Sequence, residues 1–263
     1  MIRALFSAGS GLNAQQMNID NIANNLANAN TTGFKSRQTQ FADLLYQSFV
    51  QPGTSAGAQT IVPSGLQLGL GTRPTGNTVD LSQGNFQLTN NPLDLVISGK
   101  GFFQIRRPDG TIAYTRDGSF QLNNTGQIVT ATGDTLEPAI TIPAQAQALT
   151  VAADGTVSYT LPGQTASQTA GQIQLANFAN PGGLNSIGGN LFLPTDASGD
   201  PITDVPGGQN GMGTLQEGYI EASNVNVVEE FINMITSQRA YEAGTKVVKA
   251  ADEMYQDVNN LTQ

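Results

Sequence analysis

The chain has 263 residues, a formal net charge of −9 and only 12% charged residues, and it contains neither cysteine nor histidine. Without those two residue types, disulfides, thiolate or His-ligated metal sites, Ser-His-Asp triads and Cys-His dyads are all excluded. The polarity comes from Asn, Gln, Ser, Thr and Gly, which are typical of turns, sheet surfaces and subunit contacts.

Residues 1–34 have the pattern of a helix with a narrow apolar seam. The apolar positions follow heptad spacing, at Leu5, Leu12, Ile19, Ile22 and Leu26. Gly33 suits a left-handed stop after this helix. A seam this narrow predicts packing against another helix, because one helix cannot bury it alone.

A polar stripe accompanies the apolar seam in the same helix. It consists of Asn18, Asn21, Asn25 and Asn28, spaced 3-4-3. Asn competes for backbone hydrogen bonds, so the helix should be marginal by itself. Two interpretations remain open: a solvated helix face, or a polar seam that hydrogen-bonds neighbouring subunits or lines a wet channel.

The middle of the chain contains two segments that differ in composition and pattern. Residues 35–75 are rich in Gly, Pro and Gln and predict an extended polar linker or insert. Residues 76–225 alternate short apolar runs with turns, which predicts an all-β outer domain. Its plainest signal is a hairpin in which residues 102–106 and 112–116 flank the turn Pro108-Asp109-Gly110.

Residues 226–263 again have helical periodicity. Asn226 and Glu229 have the spacing of a capping box. The seam shifts register between Ile235 and Ala240, which indicates a stutter. The seam residues of this helix are Val228, Phe231, Ile235, Val247, Met254, Val258 and Leu261.

Two heptad helices at opposite ends of one chain predict a single packed unit. The fold class is therefore α+β, with paired N- and C-terminal coiled-coil helices and an inserted all-β domain. The terminal helical domain comprises residues 1–34 and 226–263. The alternative is two terminal helices that do not meet.

The sequence has only weak signals for metal-binding, phosphate-binding or catalytic sites. Asp196, Asp200 and Asp204 are four residues apart, whereas a calcium loop needs acids on alternate residues. The Gly-rich runs at 69–71 and 208–213 do not join a strand to a helix, so they predict no phosphate site. We expect no catalytic, cofactor-binding or metal-binding residues, and no enzyme activity.

Charge is unevenly distributed along the chain. No Lys or Arg lies between Arg116 and Arg239, although acidic residues continue from Asp117 to Glu230. This stretch should repel nucleic acid and anionic membranes, so no nucleic-acid partner is expected.

Two terminal motifs resemble those of flagellar rod and hook proteins. The first is Asn21–Lys35 (NIANNLANANTTGFK), and the second is Glu221–Glu230 continued by Ile235–Glu242. Three further segments resemble the distal-rod branch of the bacterial flagellar basal-body rod protein family, at residues 65–74, 82–95 and 136–143. Gly244 departs from this pattern, because the family usually has Asn there.

The resemblance implies a structural subunit of the flagellar basal-body distal rod, in the periplasm. Such subunits are exported by the flagellar type III apparatus without a cleaved signal peptide. They polymerise into a hollow helical tube that transmits torque from motor to hook and conducts export substrates. The implied partners are further copies, proximal rod proteins, the hook protein, and the peptidoglycan- and outer-membrane-ring proteins.

Other interpretations of the sequence remain open. Within the family, the alternatives are a proximal rod subunit or a hook subunit, although the chain length fits a rod subunit better than the larger hook protein. Outside the family, they are an extracellular binding module built on the acidic β domain or a peptidoglycan-cleaving enzyme.

Overall fold

The computed structural model describes residues 2–53, 55–57, 60–61, 64–163, 166–208 and 210–260. Within them the chain has a helix near each end and many short strands between, so the α+β fold class is confirmed. The elements form two compact units. Unit 1 comprises residues up to 27, residues 37–79 and residues from 226 onward, and unit 2 comprises residues 28–36 and 80–225.

Unit 1 contains the two terminal helices. Helix α1 is Ile2–Ala27 and helix α2 is Val227–Asn260. Asn226 caps α2, because its Oδ1 accepts the backbone N–H groups of Val228 and Glu229 at 3.2 and 3.4 Å. The predicted start of the C-terminal helix is thus confirmed, with Asn226 as its N-cap residue.

Helix α1 ends earlier than the sequence predicts. Its last residue is Ala27 rather than residue 34. Beyond it, Thr31 donates from its backbone N–H to Asn28 O at 3.1 Å and from its hydroxyl to Asn28 Oδ1 at 3.1 Å. These local bonds replace helical ones, as short polar side chains commonly do. Gly33 is left-handed as predicted, with φ of 68°, but it lies in a turn outside the helix.

The described residues between 37 and 79 form an antiparallel ribbon in unit 1. Three strand pairs nest inside one another along it. They are β1 (Arg37–Asp43) with β6 (Thr72–Val79), β2 (Tyr46–Val50) with β5 (Leu66–Gly69), and β3 (Ser55–Gly57) with β4 (Thr60–Ile61). The segment predicted as an extended polar linker or insert therefore forms two arms that are hydrogen-bonded to each other.

Unit 2 is built around a nine-stranded sheet of short strands, most of them in the order β11-β12-β13-β9-β10-β19-β18, with β17 joining β9 to β20. The strands of this sheet are β9 (Phe102–Arg106), β10 (Ile112–Thr115), β11 (Gln121–Leu122), β12 (Ile128–Val129), β13 (Thr135–Glu137), β17 (Leu175–Asn177), β18 (Asn185–Gly188), β19 (Leu191–Leu193) and β20 (Ile202–Asp204). A 3-10 turn, Pro181–Gly183, lies between β17 and β18.

Smaller sheets complete unit 2. One has three strands, β14 (Ala148–Val151), β15 (Thr156–Thr160) and β16 (Gln168–Gln172). The other two are pairs, β7 (Phe86–Leu88) with β22 (Tyr219–Glu221) and β8 (Leu95–Ser98) with β21 (Thr214–Glu217). Both pairs join an early strand of unit 2 to a late one, so they bring the two ends of residues 80–225 together.

Strand β9 separates two apolar cores of unit 2. Successive side chains of a strand point to opposite faces. Phe103 accordingly joins a large core with Leu95, Ile105 and Leu136, whereas Phe102 joins a smaller one. Phe178 and Phe192 contact Phe102 edge-on there, with ring centroids 6.0 Å apart in each case.

The predicted hairpin is confirmed as β9 and β10, with Arg106 opposite Ile112. Asp109 shapes its turn, because its Oδ1 accepts the Thr111 hydroxyl at 2.5 Å and the Thr111 backbone N–H at 2.9 Å. These hydrogen bonds hold the pKa of the Asp109 carboxyl below its usual range.

The observed units differ from the predicted division at residues 34 and 75. Residues 28–36 belong to unit 2, because their backbone groups bond to that unit. Residues 76–79 belong to unit 1, because β6 pairs with β1 through Val79 opposite Arg37. Both divisions place residue 226 at the start of the C-terminal helical segment.

Candidate functional site

The candidate site is the surface of the two helices of unit 1. The helices run antiparallel and touch at three levels. Asn25 Nδ2 donates to Glu230 Oε1 at 2.8 Å, and Asn18 Nδ2 donates to Ser237 Oγ at 2.9 Å. Gly244 lies so close to Leu12 that a Cβ there would be 2.8 Å from Leu12 Cδ2. The levels are seven and six residues apart on α1 and seven residues apart on α2, which is close to the heptad period.

The predicted seam of α1 lies on or near its packed side. Ile22 is buried, and the other four residues are half-buried, namely Leu5, Leu12, Ile19 and Leu26. Strand β1 shares this side of the helix, since Asn21 and Asn25 bond to it. The seam of α1 is therefore largely covered within unit 1.

The predicted seam of α2 lies mostly on the open side of that helix. Five of its residues have between 48% and 68% of their surface exposed, namely Val228, Phe231, Ile235, Val247 and Met254. The side chain of Val258 and all of Leu261 lie outside the described residues. We call Val228, Phe231, Ile232 and Ile235, which share one side of the helix, the outer face of α2. Val247 and Met254 lie about a quarter-turn from that face, and Val247 lines a groove beside Leu12 and Gly244.

A different stripe of α2 is covered. It comprises Glu230, Met234, Ser237, Gly244, Val248 and Ala251, all buried or half-buried. Their spacing is 4-3-7-4-3, so this stripe keeps one register without a stutter. Counting apolar residues misses it, because half of its members are polar or lack a side chain. A search for small or polar residues at heptad spacing would have found it.

The predicted polar seam is engaged inside the chain. Asn25 is buried, and besides Glu230 it bonds both backbone groups of Arg37, accepting its N–H at 3.0 Å and donating to its carbonyl at 2.9 Å. Asn21 Nδ2 donates to Thr39 Oγ1 at 2.9 Å. Asn28 lies beyond the helix, in unit 2.

These asparagines also line a polar groove of unit 1. Its volume is about 390 Å³, and it runs between α1, α2 and β1. Asn18, Asn21 and Asn25 line it together with Arg37 and Glu230. Their side chains thus hold α1 against β1 and α2, and a polar groove large enough for water remains beside this contact.

The ribbon of unit 1 also exposes apolar side chains. They lie on or beside β2 and β5, at Leu45, Tyr46, Phe49, Val50, Leu66, Leu68 and Leu70. The guanidinium of Arg3 lies 5.4 Å from the centre of the Phe49 ring. Exposed apolar surface on this scale is typical of protein–protein contact sites.

A metal-binding cluster and a membrane-spanning helix are both absent from the described ranges. They hold no group of three or more His, Cys, Asp or Glu residues that could bind a metal ion. In that same part of the chain, no helix is both long and apolar enough to cross a membrane.

Three family models match separate parts of the chain. "Flagella basal body rod protein" matches residues 5–35, and "Flagellar hook protein FlgE/F/G D1 domain" matches residues 96–159. "Flagellar basal body rod FlgEFG protein C-terminal" matches residues 216–261. Both terminal matches contain the helices whose contacts are described above.

Curated relatives match over the full length. The chain is 49% identical over 261 residues to the flagellar basal-body rod protein FlgG of Buchnera aphidicola subsp. Baizongia pistaciae, covering 99% of this chain and 100% of that protein. It is 48% identical to FlgG of Caulobacter vibrioides, with 99% of each chain covered. It is 39% identical to FlgG of Bacillus subtilis over 267 residues, again with 99% of each covered.

Proposed function

Because this chain belongs to the FlgG family of flagellar basal-body rod proteins, we propose that the outer face of α2 is the surface through which its copies assemble. The protein is a structural subunit of the flagellar basal-body rod, at the position of the distal rod, and it is not an enzyme. It assembles with other flagellar proteins in that rod.

One observation carries the proposal about α2. The helix has a covered stripe that contacts α1 and an outer face whose four apolar residues keep 48% to 68% of their surface exposed. A surface helix of a monomer has one apolar stripe, directed at its own core. A second apolar stripe on the opposite side supports contact with another molecule.

The occupant of that surface would be another copy of the chain. The antiparallel α1–α2 pair would be a short coiled coil, and the outer faces of successive pairs would pack together. The contact is head-to-tail and does not close, so it generates an open helical filament, which the family's role requires to be a hollow tube. Leu5, Leu12, Ile19, Ile22 and Leu26 would hold the pair together from the side of α1.

Torque would pass along this filament through many lateral contacts. Each buried apolar side chain contributes about 1.5–3 kcal/mol, so a face of four residues repeated on every subunit stabilises the assembly without any single strong site. The apolar side chains of the β2–β5 ribbon would add contacts between copies. The lumen would conduct export substrates to the hook.

The position in the distal rod also indicates which specific proteins the chain would contact. We expect the proximal rod proteins at one end of the filament, the hook protein at the other, and the peptidoglycan- and outer-membrane-ring proteins around it. The chain would reach that place through the flagellar type III export apparatus.

Substitutions on the outer face test the assembly surface. Phe231→Ser with Ile235→Ser removes two exposed apolar side chains without touching the α1 contact. In cells that make only this variant, we expect isolated hook–basal bodies to lack it and the cells to be non-motile. The measurement is the amount of the chain in purified hook–basal bodies, together with electron micrographs of the rods.

The control is Ile202→Ser, which removes a half-exposed apolar side chain from β20 in unit 2. It should leave incorporation and motility at the wild-type level. Rods of normal length built from the Phe231→Ser and Ile235→Ser chain would rule out the outer face of α2 as the assembly surface.

A further inference from the structure

Residues 28–36 form a strap that belongs to unit 2 but is separated in sequence from the main segment of that unit, residues 80–225. The strap is bonded on both sides. Gly33 N–H donates to Glu221 O at 2.8 Å, and Ser36 O accepts the N–H of Asp80 at 2.8 Å. Asn190 Nδ2 donates to Thr32 O at 2.8 Å. The strap therefore joins strand β22 and the start of residues 80–225, which are the two ends of unit 2.

Asn224 strengthens the same junction. Its Oδ1 accepts the N–H of Ser36 at 2.8 Å, and its Nδ2 donates to Asp80 O at 2.9 Å and Ser82 O at 3.3 Å. One amide side chain thus connects the end of the strap, the first residue of the main segment and the last residues before α2. These are three of the points at which the chain enters or leaves unit 2.

A buried ionic cluster lies under the strap. Lys35, Glu221 and Arg116 are 3%, 1% and 6% exposed. Lys35 Nζ lies 2.5 Å from Glu221 Oε1 and donates to Ser82 O at 2.7 Å. Arg116 Nη1 lies 3.5 Å from Glu221 Oε2. The Gly84 N–H donates to Glu221 Oε1 at 2.9 Å, so the carboxylate is the centre of the cluster.

The cluster has one anion and two cations in a buried place, and Lys35 brings one of those cations from the strap. Burial lowers the pKa of Lys35, whereas Glu221 raises it. A buried ion pair adds little net stability, but withdrawing Lys35 removes the shorter ionic contact of Glu221 and leaves Arg116, at 3.5 Å, as its partner. Displacing the strap would withdraw Lys35 and expose the carboxylate of Glu221 to solvent. A partly displaced strap is therefore disfavoured, because it would have lost the Lys35–Glu221 contact without forming another.

We propose that Lys35, Glu221 and Arg116 form a latch that keeps the strap docked in unit 2 while the terminal helices are still unassembled. Ala27 directly precedes the strap, and Asn226 follows the segment that Asn224 anchors. With the latch closed, the C-terminal end of α1 and the N-terminal end of α2 leave unit 2 from fixed points. Pairing between Asn25 and Glu230, which are 205 residues apart in the chain, then no longer includes the entropy cost of closing that loop.

The proposal rests on the assembly function, because only a subunit that orders its helices late needs such a latch. Hydrogen exchange of the full-length monomer at low concentration tests it. We expect the amides of Gly33, Ser36, Asp80 and Gly84 to be protected in the wild-type monomer. In Lys35→Met they should exchange about tenfold faster or more, while β9 amides keep their rates.

Lys35→Met is the informative variant, since it leaves Glu221 paired with Arg116. Glu221→Gln would leave two buried cations and can unfold unit 2 outright. If Lys35→Met also unfolds unit 2, seen as loss of β9 protection, Asn224→Ala replaces it, because this variant changes no charge and removes the bonds to Ser36 and Asp80. The control is Arg106→Gln, which breaks an exposed pair with Glu137 and should leave the strap amides unchanged.

Two results would overturn the latch. One is a wild-type monomer whose strap amides exchange as fast as open chain. The other is unchanged strap protection in Lys35→Met with unit 2 intact. The assembly function fails separately, because the Phe231→Ser and Ile235→Ser chain tests incorporation and should retain full strap protection.

Discussion

Gly33 meets two demands that other residues cannot meet together. Its φ of 68° lies in the left-handed region, which costs a residue with a Cβ about 1–3 kcal/mol. A Cβ there would also be 2.6 Å from Asp117 N and 2.9 Å from Arg116 C, both backbone atoms. The backbone of the strap can approach unit 2 this closely only because residue 33 has no side chain.

We therefore expect Gly33→Ala to destabilise unit 2 by more than the backbone strain alone, about 3 kcal/mol or more. Urea unfolding followed by near-ultraviolet circular dichroism measures this loss. Gly110→Ala is the matched control, because Gly110 also has a positive φ, 82°, but no atom lies within 4 Å of its Cβ position. Equal losses in the two variants would mean that the close approach contributes nothing.

The sequence predicted the conformation of Gly33 but not the surroundings of Lys35. A glycine after two threonines indicates a left-handed stop from local chemistry alone. A lysine is almost never fully buried unless it is paired, and its partner Glu221 is 186 residues away in the chain. Nothing local to Lys35 indicates that partner, although both residues lie in the two terminal motifs.

Helix α2 has two faces, and the sequence pattern identified only one of them. The outer face contains Phe231 and Ile235 and dominates any count of apolar residues. The stripe that contacts α1 contains Ser237 and Gly244, which bind by a hydrogen bond and by close approach. The predicted stutter between Ile235 and Ala240 arises from combining positions of the two faces into one seam.

The contact between Leu12 and Gly244 should behave as one energetic unit. A Cβ on residue 244 would meet the flexible end of Leu12, so Gly244→Ala gains about 1 kcal/mol of helix propensity and loses part of it to crowding. With Leu12→Ala the crowding disappears. We expect the double variant to differ from the sum of the single ones by about 0.5–3 kcal/mol.

Urea unfolding monitored by the helical circular dichroism signal, with all four chains at one protein concentration at which the helices are formed, provides the four free energies of this cycle. Leu12→Ala combined with Val228→Ala is the control, since residue 228 is some 24 Å along α2 from residue 244 at about 1.5 Å per residue. That pair should be additive to within about 0.5 kcal/mol. An additive Leu12 and Gly244 cycle would show that the close approach carries no coupling.

On the scale of the whole molecule, the terminal helices should depend on assembly for their order. The α1–α2 contact relies on small and polar side chains, whereas the apolar outer face of α2 is uncovered. Asn-rich helices with narrow contacts are marginal in water. We expect helical circular dichroism to rise with protein concentration as copies associate, while the β signal stays constant. Full helicity at the lowest measurable concentration would contradict this expectation.

The sequence predicted the α+β organisation but not where one unit stops and the next begins. Heptads and alternating runs are local patterns, so helices at the ends and strands in the middle follow from them directly. The assignment of residues 28–36 to unit 2 depends on Glu221, Asn224 and Asn190, which are distant in the chain. Pairing of β1 with β6 is similarly non-local and moved residues 37–79 to unit 1.

The strap also imposes an order of events on any chain that emerges with its N-terminus first. Residues 28–36 appear early, yet Glu221 and Asn224, which receive them, appear only when nearly the whole polypeptide has followed. Unit 2 is therefore finished by its last segment, and a chain interrupted before residue 221 cannot close it. Docking of the strap therefore depends on synthesis or export having passed residue 224. Before that point the two helices cannot leave unit 2 from fixed points.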